Sequence, residues 1–433
     1  MFETYKKDIE FLEGLANIPR TTYLLGPKDK RIFIKRVRNF LSLVGNPQKD
    51  LKFIHIAGTS GKGSTVKVLE SLITDAGFKT GSFTSPFATT SIEKISVNNK
   101  LISPIDFHDI LENQIKPALD KYVFKFSDSV SYFEIWLVIG FLYFKKQKCD
   151  WVVLEAGLGG THDATNVIKS PKVTAITNVG LDHTHILGKT KAKIAQDKAG
   201  IIKKNSIFLT SEKNKKLLTI FRDKCRQEKA WLINNQNLVK DYKTDNYFST
   251  PRQKENLNLA LNILDVLKIQ PKHTQKVIDN FGLICRQEKI QASPLVILDG
   301  SHNKDKLDNI INFVKGQKYN KLHLVLAFAQ NKNYKIPLKK LLQITDRLYI
   351  TRFITSVRKS AELKKLYQNS KKIKSRLPIT IYNDPNQALD FALSQAKKGD
   401  LVLVTGSFFL TGELRKRWIS EEYILKNQKL DKK

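Results

Sequence analysis

The sequence predicts an α/β protein of two domains: a P-loop-like doubly wound sheet at the N-terminus and a smaller Rossmann-like α/β domain at the C-terminus. Three observations predict it. Apolar runs of strand length alternate with segments of helical periodicity. Glycine- and hydroxyl-rich turns follow several of those runs. The alternation stops near Phe281–Arg286 and then restarts, which sets the expected domains at residues 1–284 and 285–433.

The first strand carries the strongest signal, because Phe53, Ile54 and Ile56 run into the turn Gly58-Thr59-Ser60-Gly61-Lys62-Gly63-Ser64-Thr65 and a helical pattern from Val66 to Ala76. A strand, a glycine turn and a helix N-terminus make a phosphate cradle. Glycines let backbone N–H groups approach an anion, and the helix adds positive potential. Lys62 is placed to reach β- and γ-phosphates, and Ser64 or Thr65 to hold Mg²⁺. The spacing is G-T-x-G-K-G-S rather than the strict G-x-x-x-x-G-K-[ST], with Gly63 inserted between Lys62 and Ser64.

Composition narrows the class. Hydrophobic residues make up 41% and charged residues 27%, as in globular proteins, and no apolar run is long enough for a membrane span. The N-terminus MFETYKKDIEFLEGL is acidic and helical where a signal peptide is basic and then apolar, so the expected location is cytoplasmic. Cys149, Cys225 and Cys285 are too scattered for a disulfide framework or a thiolate metal site. The net charge of +33 favours acidic ligands, but its lysines are spread along the chain without an RNA- or DNA-binding motif. Neither a specific nucleic acid nor a membrane is expected as a partner, and the chain is expected to be monomeric.

In order, helices are expected over Asp8–Leu15 and Asp29–Leu43, separated by Pro19 and Gly26-Pro27, with a turn at Gly45-Asn46-Pro47-Gln48 before the first strand. A strand at Lys79–Thr84 leads into Thr84–Asn99, read as a long polar loop. Helices follow over Ile105–Leu119 and Tyr132–Phe144. The second holds Glu134 among apolar residues, where an acid must either face a cation or cap the first turn. The strand Trp151–Glu155 ends in a carboxylate before the turn AGLGGTHDATN, and Val173–Thr177 leads into Asp182, His183 and His185. Lys198 lies on a helix from Lys191 to Ile202, where composition alone reads it as solvated. Strands at Ile207–Thr210 and Trp231–Asn234, a hairpin at Leu238–Ser249 and a helix over Gln253–Leu267 complete the first domain. In the second, strands are expected at Leu295–Leu298, Leu322–Ala327, Arg347–Thr351, Ile379–Ile381 and Leu401–Thr405, with a frayed tail from Leu425.

Eight motifs stand in one order: GNPQ at Gly45–Gln48, TSP at Thr84–Pro86, YFE at Tyr132–Glu134, DATNV at Asp163–Val167, LDHT at Leu181–Thr184, KAGI at Lys198–Ile201, DGSHN at Asp299–Asn303 and TGS at Thr405–Ser407. With the phosphate loop, they resemble the Mur ligase superfamily, and within it the folylpolyglutamate and dihydrofolate synthases. The resemblance implies the Mur ligase architecture, an N-terminal P-loop ATPase-like domain followed by a glutamate ligase domain. It implies ATP at Gly58–Thr65, Asn256, Arg286 and Asp299, and two Mg²⁺ ions among Ser64, Glu134, His183 and Lys198. Lys198 matches a lysine that the family carbamylates. Lys62, Lys198, His183 and His302 would be catalytic, and Thr84, Ser85, Pro86, Asp163 and Thr165 would face the substrate.

The implied reaction joins L-glutamate to folate, or to dihydropteroate, through an acyl phosphate. The chain departs from the family's usual residues at Phe87, Ile92, Thr161, Cys285 and across Asn331–Asn333. One rival is a Mur-type ligase acting on a peptidoglycan precursor, although only about 50 residues precede the loop where such enzymes place a UDP-binding domain. The other is a basic P-loop ATPase that binds nucleic acid, which gives Glu134, His183 and Lys198 no reason to occur together.

Overall fold

The computed structural model describes residues 2–15, 32–245, 247–330, 334–354 and 359–431. Pro19, Gly26-Pro27, the start of the helix expected from Asp29, and Asn331-Lys332-Asn333 lie outside them. The chain divides into two compact units. One comprises Met1–Phe87, Ser91–Asn280 and Leu425–Lys429, and the other Ala88–Thr90, Phe281–Ile424 and Leu430–Lys433.

The first unit holds an eight-stranded sheet of β1 (Phe53–Ala57), β2 (Thr80–Phe83), β3 (Ile95–Val97), β4 (Lys100–Leu101), β5 (Trp151–Glu155), β6 (Val173–Ile176), β7 (Ile207–Thr210) and β8 (Trp231–Leu232), in the order β4-β3-β2-β5-β1-β6-β7-β8. The six strands from β2 to β8 are parallel, and β3 and β4 add an antiparallel edge. Strand β1 is buried along all five residues, as a central parallel strand covered on both faces must be. The helix Lys215–Glu228 shows how such covering is encoded: Leu217, Phe221 and Cys225, four residues apart, form its buried stripe. Its N-terminus is capped by the Asn214 side chain, which accepts from the Lys216 and Leu217 amides.

The second unit has six strands, β9 (Glu288–Gln291), β10 (Leu295–Leu298), β11 (Leu322–Leu326), β12 (Arg347–Ile350), β13 (Ile379–Ile381) and β14 (Leu401–Thr405), ordered β13-β12-β11-β14-β10-β9. Five are parallel and β9 is antiparallel. Strand alternation sends Ile297, Leu324 and Leu403 into one core and Val296, Val325 and Val402 into the other.

Several expectations change. Thr84–Asn99 is not one loop: a 3-10 turn at Ser91–Lys94 and strand β3 fold it, and every residue from Ser91 to Val97 is buried. Leu238–Ser249 forms two 3-10 turns, Leu238–Asp241 and Tyr247–Ser249, in place of a hairpin. The stretch from Pro104 continues through a π-turn at Leu111–Ile115 to Phe126. The tail holds a helix over Glu421–Asn427, and the Gln428 carbonyl accepts from the Leu101 amide. All three cysteines are buried and unbridged. Among the described residues, no helix is long and apolar enough to cross a membrane.

Candidate functional site

The phosphate loop leaves β1 at its carboxyl end and enters the helix Lys62–Asp75, whose N-cap Gly61 has φ 86 and no side-chain cap. The first-turn N–H groups therefore keep no side-chain acceptor at the cap, which is the condition for receiving an anion. Gly61 is required twice over, since a Cβ there would stand 2.3 Å from Asn256 Oδ1 as well as strain the left-handed backbone. Asn256, buried on the helix Pro251–Leu267, is thus brought against the turn.

Beyond β6, Asn178 clamps the loop, its Oδ1 accepting from Ser60 N at 3.1 Å and its Nδ2 donating to Ser60 O at 3.2 Å. Thr59 Oγ1 accepts from Gly180 N at 2.9 Å. The Ser60 hydroxyl is buried without a hydrogen-bond partner among the described residues. Thr65 is turned inward, donating to Gly61 O at 3.0 Å.

Lys62 Nζ lies 3.1 Å from Gly58 O, and Lys198 Nζ reaches the same oxygen at 3.0 Å from the helix Lys191–Lys198. Lys198 is 3% exposed, so the solvated reading of this residue is overturned. Burial brings its pKa down to about 7, the Lys62 charge pushing the same way while Asp197, Asp182 and Asp163 oppose.

The carboxylate at this loop is Glu155, the last residue of β5 and register partner of Ile56. Its Oε1 lies 3.8 Å from Lys62 Nζ, and its Oε2 accepts from Ser85 N at 3.1 Å. A Cβ on Gly63 would come within 3.3 Å of the same Oε2, so a larger residue there would have to push the carboxylate aside by a few tenths of an ångström. Glu134 takes its other reading. It closes a capping box on the helix Tyr132–Lys146, with Oε2 accepting from Ser131 N at 2.6 Å, and its electrostatic neighbours are Arg36 and Asp128. Burial raises its pKa, and Oε1 has no hydrogen-bond partner among the described residues. Sequence reasoning missed Glu155 although its signal, a carboxylate ending an apolar strand, was present; what was absent was that β5 lies beside β1.

His183 caps the short helix Thr184–Leu187 with φ 48, and its Nε2 stands 3.8 Å from Asp182 Oδ1. Of the expected substrate residues, Thr84 and Ser85 are partly exposed and Pro86 is exposed. Asp163 and Thr165 are both buried and bind the protein itself. Asp163 accepts from the Leu158 and Thr165 amides and from the Thr165 hydroxyl, and Thr165 Oγ1 meets His55 Nε2 at 2.9 Å.

In the second unit, Asp299 follows β10 and accepts from Gln287 N and Ser301 N, each at 2.9 Å. Burial raises its pKa against the pull of Ser301 and Arg286. The Arg286 guanidinium lies 4.7 Å over the Phe408 ring, and His302 Nδ1 is 2.9 Å from Gly300 O. All three stand at or near the carboxyl end of β10, where doubly wound sheets bind ligands.

Residues 56–271 match the Mur ligase middle domain and residues 285–408 the Mur ligase glutamate ligase domain. The chain is 31% identical over 418 residues to the dihydrofolate synthase/folylpolyglutamate synthase of Bacillus subtilis, covering 88% of this chain and 94% of that protein. A structure of E. coli FolC in complex with ADP superposes with a TM-score of 0.76 at 26% identity, over 92% of this chain and 95% of that one. A bifunctional folylpolyglutamate synthase/dihydrofolate synthase with Mn, AMPPNP and L-glutamate bound has the same fold, with a TM-score of 0.76 at 24% identity over 89% of this chain and 93% of that one. The chain belongs to the Mur ligase family, among the dihydrofolate and folylpolyglutamate synthases.

Proposed function

We propose that this protein is a cytoplasmic ATP-dependent ligase that joins L-glutamate to a folate, and to dihydropteroate where that is the acid supplied. The observation that carries the reading is the convergence of Lys62 and Lys198 on Gly58 O beside the Glu155 carboxylate, at the uncapped N-terminus of the phosphate-loop helix. Relatives act on these substrates by name, and the solved relatives hold ADP, or AMPPNP with Mn and L-glutamate.

The loop amides and Lys62 bind the triphosphate and neutralise charge that develops on the γ-phosphoryl oxygens as the substrate carboxylate attacks. The acyl phosphate so formed is then attacked by the glutamate amine, which gives the amide, ADP and phosphate. No protein nucleophile is needed. Family resemblance, rather than geometry, assigns Arg286, Asp299 and His302 to the nucleotide.

The donor set fits divalent cations: the Ser64 hydroxyl, the Glu155 carboxylate, the His183 imidazole and Lys198 once carbamylated, with Glu155 in the place expected for Glu134. Mg²⁺ bound by these residues would supply charge neutralisation to the phosphates, and the set has room in its donor number for two ions. Lys198 is suited to carbamylation because a buried amine with a pKa of about 7 is substantially uncharged at neutral pH, the form that adds CO₂.

The test is ADP release by purified protein with L-glutamate and, separately, tetrahydrofolate, dihydropteroate or a UDP-muramyl peptide. Turnover with either pterin acid that is lost in Lys62→Ala supports the reading. Turnover only with the UDP-peptide reassigns the acid, and absence of Lys62-dependent turnover removes the ligase assignment.

A further inference from the structure

Tyr247 belongs to no motif above, yet its Oη lies 3.0 Å from Ser64 Oγ. The turn that carries it, Tyr247–Ser249, is set firmly. Phe248 is fully buried and packs edge-on to the Tyr247 ring with centroids 5.1 Å apart. Thr250 then closes a capping box with Gln253 at the start of the helix Pro251–Leu267, which also brings Asn256 to Gly61. One short segment thus touches the phosphate loop at two points.

A serine hydroxyl that ligates a cation must present a lone pair and send its proton elsewhere. Within a helix the usual recipient is the carbonyl four residues back. Thr65 follows that rule, donating to Gly61 O at 3.0 Å. Ser64 has a poorer option, because the corresponding Ser60 O already accepts from Thr177 Oγ1 at 2.6 Å and Asn178 Nδ2 at 3.2 Å. Tyr247 Oη is the acceptor that the structure offers in its place.

We infer that Tyr247 is a positioning residue of the cation site: its Oη accepts the hydrogen bond of the Ser64 hydroxyl and so turns the Ser64 lone pairs toward the divalent ion. The inference rests on the reading of Ser64 as a cation ligand. It assigns the donor in this pair to Ser64, and the tyrosine ring to a packing role that Phe can fill.

The test is titration of Mn²⁺ by electron paramagnetic resonance, with a non-hydrolysable ATP analogue and no acid substrate, on the wild type, Tyr247→Phe, Ser64→Ala and the double variant. Loss of such an outer-shell partner is expected to weaken Mn²⁺ binding about tenfold in Tyr247→Phe. Analogue binding in EDTA should be unchanged, and the tyrosine substitution should have no further effect in the Ser64→Ala background. Wild-type Mn²⁺ affinity in Tyr247→Phe overturns the inference. So does an equal loss in both backgrounds, or an equal loss without metal, since either describes ring packing. Wild-type affinity in Ser64→Ala has a different meaning: Ser64 is then not a ligand, and the underlying reading fails first.

Discussion

Lys62 and Lys198 direct their side-chain nitrogens at one atom, the carbonyl oxygen of Gly58, from 3.1 and 3.0 Å. Two ammonium ions so placed repel each other unless one is neutral or an anion arrives, and Lys198 is the one whose pKa is brought down to about 7. The Glu155 carboxylate, 3.8 Å from Lys62, offsets part of that charge, and a phosphate or a carbamate would offset more.

A pH dependence of stability follows. Between about pH 7 and the ordinary lysine value near 10.5, the unfolded chain carries a proton on Lys198 that the folded chain lacks. Stability from this group therefore rises with pH across that window, at up to about 1.4 kcal/mol per pH unit. In CO₂-free buffer, Lys198→Met should be the more stable protein at pH 7 and should lack that slope, as read from urea unfolding at pH 7, 8 and 9. Equal slopes in the two proteins would show that Lys198 keeps an ordinary pKa.

Carbamylation is visible directly. With ¹³C-bicarbonate at pH 8, the wild type should show a carbamate carbon resonance that is absent from Lys198→Met, and degassing should lower ADP release until bicarbonate is restored. A spectrum without that resonance, in a protein that still turns over, takes the carbamate out of the mechanism.

Glu155 and Glu134, both buried, separate the site from the scaffold. Glu155→Gln should lower ADP release by about 100-fold or more with the fold intact, because a carboxylate that neutralises cation charge is replaced by an amide. Glu134→Ala should cost about 1–2 kcal/mol through the lost capping box and leave turnover within about threefold. The reverse pattern would return the cation role to Glu134.

Much of the fold was legible because each strand of the first sheet's centre is short, apolar and followed by a turn with its own residues: β5 and β7 stand where their runs predict. What was illegible depended on neighbours. Glu155 and Glu134 are both acids beside apolar runs, and only the sheet order, which puts β5 against β1, says which one reaches Lys62. Asp163 and Thr165 look like polar loop residues, but the turn that holds them is folded inward onto His55 in the central strand. Thr84–Asn99 read as loop because its hydroxyls disguise a buried edge: Ser96 bonds Ser82 of the neighbouring β2 and Glu70 inside the structure. Lys94, polar by sequence, is enclosed by the rings of Phe87, Tyr132 and Trp136 at 4.1, 5.0 and 4.2 Å.

The last prediction concerns that inward network. The Thr165 hydroxyl donates to Asp163, so its oxygen accepts the Nε2–H of His55 at 2.9 Å, which leaves Nδ1 as a buried nitrogen without a partner among the described residues. Burial, aided by the charge of Lys203, lowers the His55 pKa to about 3. As pH falls from 6.5 toward that value, the unfolded histidine takes up a proton that the folded one refuses, so stability present above pH 6.5 is lost at up to about 1.4 kcal/mol per pH unit. Acid inactivation should then reflect unfolding as well as site chemistry. The His55 ring C2 proton should hold one chemical shift from pH 7 to 5 while exposed histidines titrate, and a His55 midpoint near 6.5 would mean that the network accepts the charged ring and contributes no such acid sensitivity.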